Sequence, residues 1–321
     1  MAEANTKVRA MPPGDVAVFS KGGCDLVGRK IQLPSGAVAT VPVPGVTIVS
    51  SSLVKDGFKE APETYSVTSP SGQVALAERY PSGVTNFFGD PSMQSKLKET
   101  ITIRETSTTS SKAALASQKC TYSSANTNGP GWPSGISYDW WLTDTATYPT
   151  PYGQPDLTVW NIEAGSKAWQ NRNTACAGSY PTHKASTNYK TTTTKVAGVA
   201  FDTSCQLAPD WTSVITFKPL TGNVLGHTCW YYGVSGGLWE ADIAFNKNVM
   251  WAMRDMGYLL CDPGEFILEG VAAHEFGHAF GLAHAPQTSE QVMRAQAASC
   301  TRTDTQLGTG DLASIYALYH Y

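Results

Sequence analysis

Along residues 14–105 the apolar positions come in short runs separated by turn-forming residues: "DVAVF", "KIQLPSGAVATVPV", "GVTIVSS" and "YSVTSPSGQVALAERY". Runs of this length bounded by Ser, Gly and Pro predict a β-rich segment, with two Ser-Gly pairs at hairpin turns. Residues 106–118, "TSTTSSKAALASQ", offer little to bury and predict a linker or processing region. Beyond them the period changes. "ISYDWWL" predicts a strand, and "DLTVWNIEAGSKAWQN" places Val159, Ile162, Ala168 and Trp169 at helical spacing with Asp156 as its N-cap. The polar stretch "CAGSYPTHKASTNYKTTTTK" predicts a surface loop. "KVAGVAFD", "SVITFKP", "TCWYYG" and "WEADIAFN" then predict strands, followed by a helix from about Glu265 to Gly281. A final helix in "GDLASIYALYHY" has Leu312, Ile315, Tyr316 and Tyr319 on one face. A strand followed by a helix suggests an α/β layout after residue 116, preceded by a β-rich segment over residues 1–115.

Composition narrows the setting. Charged residues are 15% of the chain, with 26 acidic against 23 basic, and no basic block suggests a nucleic-acid partner. No apolar run approaches the roughly 20 residues of a membrane span, and "MAEANTKVRA" lacks the apolar core of a secretory signal. The seven cysteines, at 24, 120, 176, 205, 229, 261 and 300, are spread singly without a CxxC pair. Disulfides, and hence an extracellular location with any signal already removed, are the expectation. Six cysteines allow three bridges, and Cys24 is the outlier by position.

"HEFGHAFGLAH" places three of the six histidines between His274 and His284. On a helix, residues four apart differ by about 40°, so His274 and His278 share a face and can reach one ion. Glu275, about 100° around from His274, is placed to face a water on that ion as general base. His284 would lie about 240° around and roughly 9 Å further along if the helix continued. The helix must therefore stop, and Gly281 can end it by taking a left-handed conformation. Three neutral imidazoles leave the fourth tetrahedral position of a zinc ion open to water, the arrangement of a catalytic site. A core helix that merely carries histidines would not need all five of these positions.

His274, Glu275, His278, Gly281 and His284 match HExxHxxGxxH, and the chain resembles the metzincin zinc metalloproteases of the matrixin type. "EADIAFN", "LAHA" and "GTGDLASIYALY" resemble the last strand, third-ligand loop and final helix of that fold, over residues 136–321. The resemblance implies an α+β, metzincin-like domain over residues 116–321 with a twisted mixed sheet, an active-site helix and a C-terminal helix. It implies a monomeric endopeptidase acting on proteins or peptides, with one catalytic zinc and Met293 in a Met-turn beneath the histidines. Ala285 after the third histidine and Arg294 after the methionine depart from the usual pattern and leave the branch open. Calcium is a candidate second cofactor, with Asp202, Asp210 and Asp242 as possible ligands. The second, structural zinc of many animal matrixins is expected to be absent, because His183, His227 and His320 lack its HxD spacing. An extended peptide should add to an exposed edge strand near "HTCWYYG", with residues 294–309 walling the pocket beside the zinc.

Residues 1–115 occupy the place of an inhibitory prosegment. Cys24, in "SKGGCDLVG", is the candidate fourth ligand of a latent form, although the family's PRCGxPD motif is missing and the distance to residue 115 is long. The expectation is a secreted, zinc-dependent zymogen. The rival is a secreted, non-catalytic zinc-containing binding or adhesion protein.

Overall fold

A computed structural model describes residues 9–10, 26–102, 118–144, 155–174, 176–178, 180–233, 236–255, 258–259, 261–301 and 305–320. "DVAVF", Cys24 and nearly all of the expected linker lie outside the described residues. The protein is α+β, as expected. Its main sheet has ten strands: β1 Val46–Lys55, β2 Glu63–Thr68, β3 Val74–Arg79, β4 Thr85–Gly89, β5 Tyr138–Thr143, β6 Thr187–Thr193, β7 Val214–Lys218, β8 Val224–Gly233, β9 Leu238–Asn246 and the short β10 Gln296–Ala297. They run in the order β4-β3-β2-β1-β8-β9-β7-β5-β6, with β10 alongside β1. The β7–β9, β7–β5 and β5–β6 pairs are parallel and the pairs from β4 to β9 antiparallel, so the sheet is mixed. A separate small sheet carries Lys30–Gln32 and Val38–Thr40, joined by the expected Ser-Gly turn with Gly36 at φ 93°.

Four helices matter for the site: α1 Pro91–Thr102, α2 Pro155–Asn171, α3 Leu268–Ala279 and α4 Thr309–Tyr319. Every residue of α3 is buried, because the sheet covers one side and α2 the other. Gly165 lets α2 approach closely, since a Cβ there would come within 2.6 Å of the Glu269 carbonyl oxygen. Trp169 donates from Nε1 to the Ala273 carbonyl at 2.7 Å, and Trp132 to that of Ala279 at 2.8 Å. These bonds satisfy indoles that would otherwise be buried unpaired. A second apolar cluster, including Ile48, Val199, Val214 and Tyr231, covers the opposite face of the sheet.

Several expectations are corrected. The polar stretch expected to be a surface loop contains β6, a parallel edge strand whose outer positions are exposed. Such a strand needs no apolar run, and β-branched threonines suit it. "KVAGVAFD" is not a strand: Val199 makes one isolated bridge to Cys205, and the segment turns through Thr203 at φ 63°. Its backbone bonds are split between the turn itself and side chains: Gln206 N–H donates to the Gly198 carbonyl and Ala200 N–H to that of Ser204, while Gly198 N–H donates to Asp242 and the Val199 carbonyl accepts from Lys218 Nζ. The β-rich N-terminal segment also contains α1, capped by Asp90 Oδ1 on the amides of Ser92 and Met93, with Pro91 at its first position. Tyr316 points outward from α4, and Leu318 joins Leu312, Ile315 and Tyr319 in its core face. Finally, "HTCWYYG" is not an edge. It lies in β8, which has β9 on one side and β1 on the other.

Candidate metal centre

The helix α3 ends as its sequence requires. Gly281 has φ 89°; its amide donates to the His278 carbonyl and that of Leu282 to Gly277, the paired bonds of a Schellman motif. A Cβ at Gly281 would also press on the Pro130 carbonyl oxygen at 3.0 Å. The chain then turns back and brings His284 to the two helical histidines. His278 Nε2 lies 3.0 Å from His274 Nε2 and 3.2 Å from His284 Nε2. Nitrogens bound about 2.0–2.1 Å from one tetrahedral ion stand roughly 3.3 Å apart, so this spacing fits zinc.

The other ring nitrogens fix the tautomers. His274 Nδ1 donates to the Val292 carbonyl at 2.8 Å and His278 Nδ1 to that of Leu282 at 2.9 Å. A carbonyl can only accept, so both protons sit on Nδ1 and both Nε2 lone pairs point at the common centre. Burial pushes His274 down to about 4 and His278 and His284 well below the usual imidazole range, with mutual repulsion adding to the last two. Neutral imidazole is the metal-binding form. Trp230 stacks on the His278 ring at 5.6 Å between centroids.

Glu275 follows the same logic. Its Oε2 accepts the Thr228 hydroxyl at 2.6 Å, while Oε1 is buried without a hydrogen-bond partner. Gly226 makes room for it, since a Cβ there would come within 2.6 Å of Oε1. Burial pushes this carboxyl up to about 8 against the opposing pull of the Thr228 hydroxyl and, less strongly, of the nearby Leu53 amide. An unpaired buried acceptor and three converging imidazoles form a donor set suited to a cation with a water beside it.

Met293 packs against α3 at Gly277. Its Sδ would be 2.2 Å from a Cβ on Gly277, between the two helical histidines in sequence. The Asp311 carboxylate, at the start of α4, accepts the amides of Val292 at 2.8 Å and Met293 at 3.2 Å and so pins that turn. The Cys261–Cys300 disulfide ties the wall that follows. The other bridges are Cys120–Cys176 and Cys205–Cys229, which leaves Cys24 as the seventh cysteine.

The other expected ligands go elsewhere. Asp202 pairs with Lys30, Asp210 with Lys195, and Asp242 accepts the amides of Gly198 and Val214. The three do not converge on one point among the described residues. His227 faces Ser52 and the Cys205–Cys229 bridge, and His320 is at the exposed end of α4.

The N-terminal segment enters the site. Ser51 Oγ stands 3.2 Å from His284 Nε2, and Glu63 Oε1 accepts the His284 amide at 2.7 Å. Neither residue was foreseen, and no local pattern marks either. Asp311 had a readable signal, an acid in the first turn of the last helix. With β1 in place the centre is closed, and His274, Glu275, His278 and His284 are at most 4% exposed.

Residues 217–320 match the family model of the matrixin peptidases. This supports the metzincin-like resemblance over the stretch from β7 to the end of α4, while the unit from β5 through α2 lies outside the match. A search of curated proteins finds no match to the chain.

Proposed function

We propose that this protein is a secreted, zinc-dependent endopeptidase made in a latent form. The observation that carries the reading is the convergence of three Nε2 atoms, two of them with Nδ1 protons committed to carbonyls, beside the partnerless Glu275 Oε1. The family match agrees with a zinc peptidase. Three disulfides and the lack of any membrane-length apolar helix among the described residues agree with export.

His274, His278 and His284 would bind the zinc. When bound, zinc supplies a Lewis acid for the scissile carbonyl and lowers the pKa of a water to about 7. The chain's own residues do the rest. Glu275 takes the proton of the attacking water on its free Oε1, with Oε2 steadied by Thr228, and passes it to the leaving amine. A zinc ion held by the three histidines would, by its positive charge, favour the ionised form of Glu275 that this role needs. Trp230, stacked on His278, excludes bulk water on that side, which strengthens these interactions. Latency follows from closure, because no peptide can reach Glu275 while β1 lies across it.

The test compares full chain, chain cut within residues 103–117, and the cut Glu275→Gln variant for zinc content and casein cleavage. One zinc per chain in all three, with activity only in the cut wild type, is expected. The variant's rate should fall by about 10²–10⁴. No zinc, or activity that survives the substitution, overturns the reading; equal activity of intact and cut chain removes latency alone.

A further inference from the structure

We infer that strand β1, not Cys24, closes the metal centre, lying in the groove as an extended peptide would and directing Ser51 at the metal's open position. This inference rests on the zinc-peptidase reading above. Two walls define the groove: β8 on one side and the segment after Met293 on the other. β1 lies between them. It pairs antiparallel with β8, with Thr228 opposite Ser51, Trp230 opposite Val49 and Gly226 opposite Leu53. On its other edge, Val54 N–H donates to the Ala295 carbonyl at 3.1 Å and Asp56 N–H to that of Ala297 at 2.8 Å. Main-chain bonds on both edges are how an added strand is gripped.

Side chains alternate along β1, and the alternation fits the groove. Ser50 and Ser52 point away, to Thr64 at 2.8 Å and to His227 at 2.6 Å. Ser51 and Leu53 point toward α3. Ser51 Oγ is 3.2 Å from His284 Nε2, close to the separation between the histidines themselves, and it sits opposite the residue that steadies Glu275. Leu53 fills the pocket beside His274, together with Val271, Val292, Arg294 and Ala297, and leaves a cavity of about 10 Å³. That is room for about one water. The Ser51 hydroxyl stands against His284 Nε2, and its oxygen can supply the fourth lone pair without any cysteine. β2 and β3 lock the arrangement from outside: Glu63 accepts the His284 amide, and Tyr65 of β2 and Arg79 of β3 donate to Asn128, which in turn donates to the Leu282 carbonyl. Release of the groove then requires β1 to leave β8, not the oxidation or displacement of a thiol.

The test uses the full chain produced with Co²⁺, whose bond to a thiolate gives a charge-transfer absorption that bonds to nitrogen and oxygen lack. Wild type and Cys24→Ser should bind cobalt without that band. Cys24→Ser combined with Ser51→Cys should show it, because residue 51 then brings sulfur to the metal. In Ser51→Ala the visible cobalt bands should shift, which keeps the test open if the cysteine variant folds poorly. Cobalt bound without a thiolate band in the double variant, together with unchanged bands in Ser51→Ala, overturns the proposal. So does a thiolate band in wild type that Cys24→Ser abolishes. Wild type that takes up no cobalt sinks the metal reading itself, and the proposal with it.

Discussion

Glu63 Oε1 accepts the backbone amide of His284 at 2.7 Å, so an acid from the N-terminal half of the chain fixes the loop that carries the third histidine. The carboxylate is buried, with Tyr65 on its other oxygen and the charge of Arg79 nearby. Replacing it with alanine leaves Arg79 and the His284 amide short of a partner. Glu63→Ala should cost about 3–5 kcal/mol, the range for breaking a buried charge network. It should also weaken zinc binding about 10–100-fold, as losing an outer-shell partner does. Urea unfolding and metal competition measure the two effects, and Glu63→Gln should recover part of each.

Gly277 is fixed by what lies under α3. A Cβ there would meet Met293 Sδ at 2.2 Å and Trp169 Cζ2 at 2.7 Å. Although alanine is the better helix former, Gly277→Ala should destabilise by about 1–3 kcal/mol through overpacking. A thermal melt that shows no loss would mean the Met293 turn yields easily. Double substitution with Met293→Ala should recover much of the loss.

The far face of the sheet predicts a pH dependence. Burial, then the charge of Asp210, pushes Glu240 up to about 7, although Trp211 and Thr212 amides bond its carboxylate. Its folded pKa exceeds the unfolded value, so the folded state binds more protons between about pH 4.5 and 7. Stability contributed by this group is thus present at low pH and lost as pH rises through that window. The midpoint of thermal unfolding should fall over this range in wild type, and Glu240→Gln should flatten the fall.

The Cys261–Cys300 bridge spans 39 residues of sequence and anchors the end of the wall beside the Leu53 pocket. Its removal by paired serine substitution should cost about 2–4 kcal/mol. Hydrogen exchange should rise in residues 294–301 more than in α3, since the bridge holds the wall and not the helix.

The centre was legible because its determinants are local. Helical spacing placed His274, Glu275 and His278, and Gly281 had to end the helix for His284 to return. Met293 came from the family resemblance. Three bridges that leave Cys24 aside were expected, but which cysteines pair was not legible, because pairing depends on contacts between segments far apart in the chain. What closes the centre was not legible. The pairing of Ser51 with Thr228 joins residues far apart in sequence, and a strand read as apolar does not say which edge it will meet. β6 escaped notice because an exposed parallel edge strand can be written in threonine and lysine. α1 escaped although Met93, Leu97 and Ile101 recur every fourth residue, since the surrounding strands set the expectation.

In the proposed conversion from latent to active protein, the place of β8 matters a second time. Its second hydrogen-bonding edge is satisfied only by Val46–Lys55. Once that strand departs, a row of bare amides and carbonyls from Val224 to Gly233 faces solvent, flanked by Trp230 and Tyr232. A free edge of this kind is a template for any extended chain, including the same strand from another molecule. Under the proposed function, substrate capture and strand exchange between molecules would compete for one surface, and the competition would tilt toward exchange as protein concentration rises.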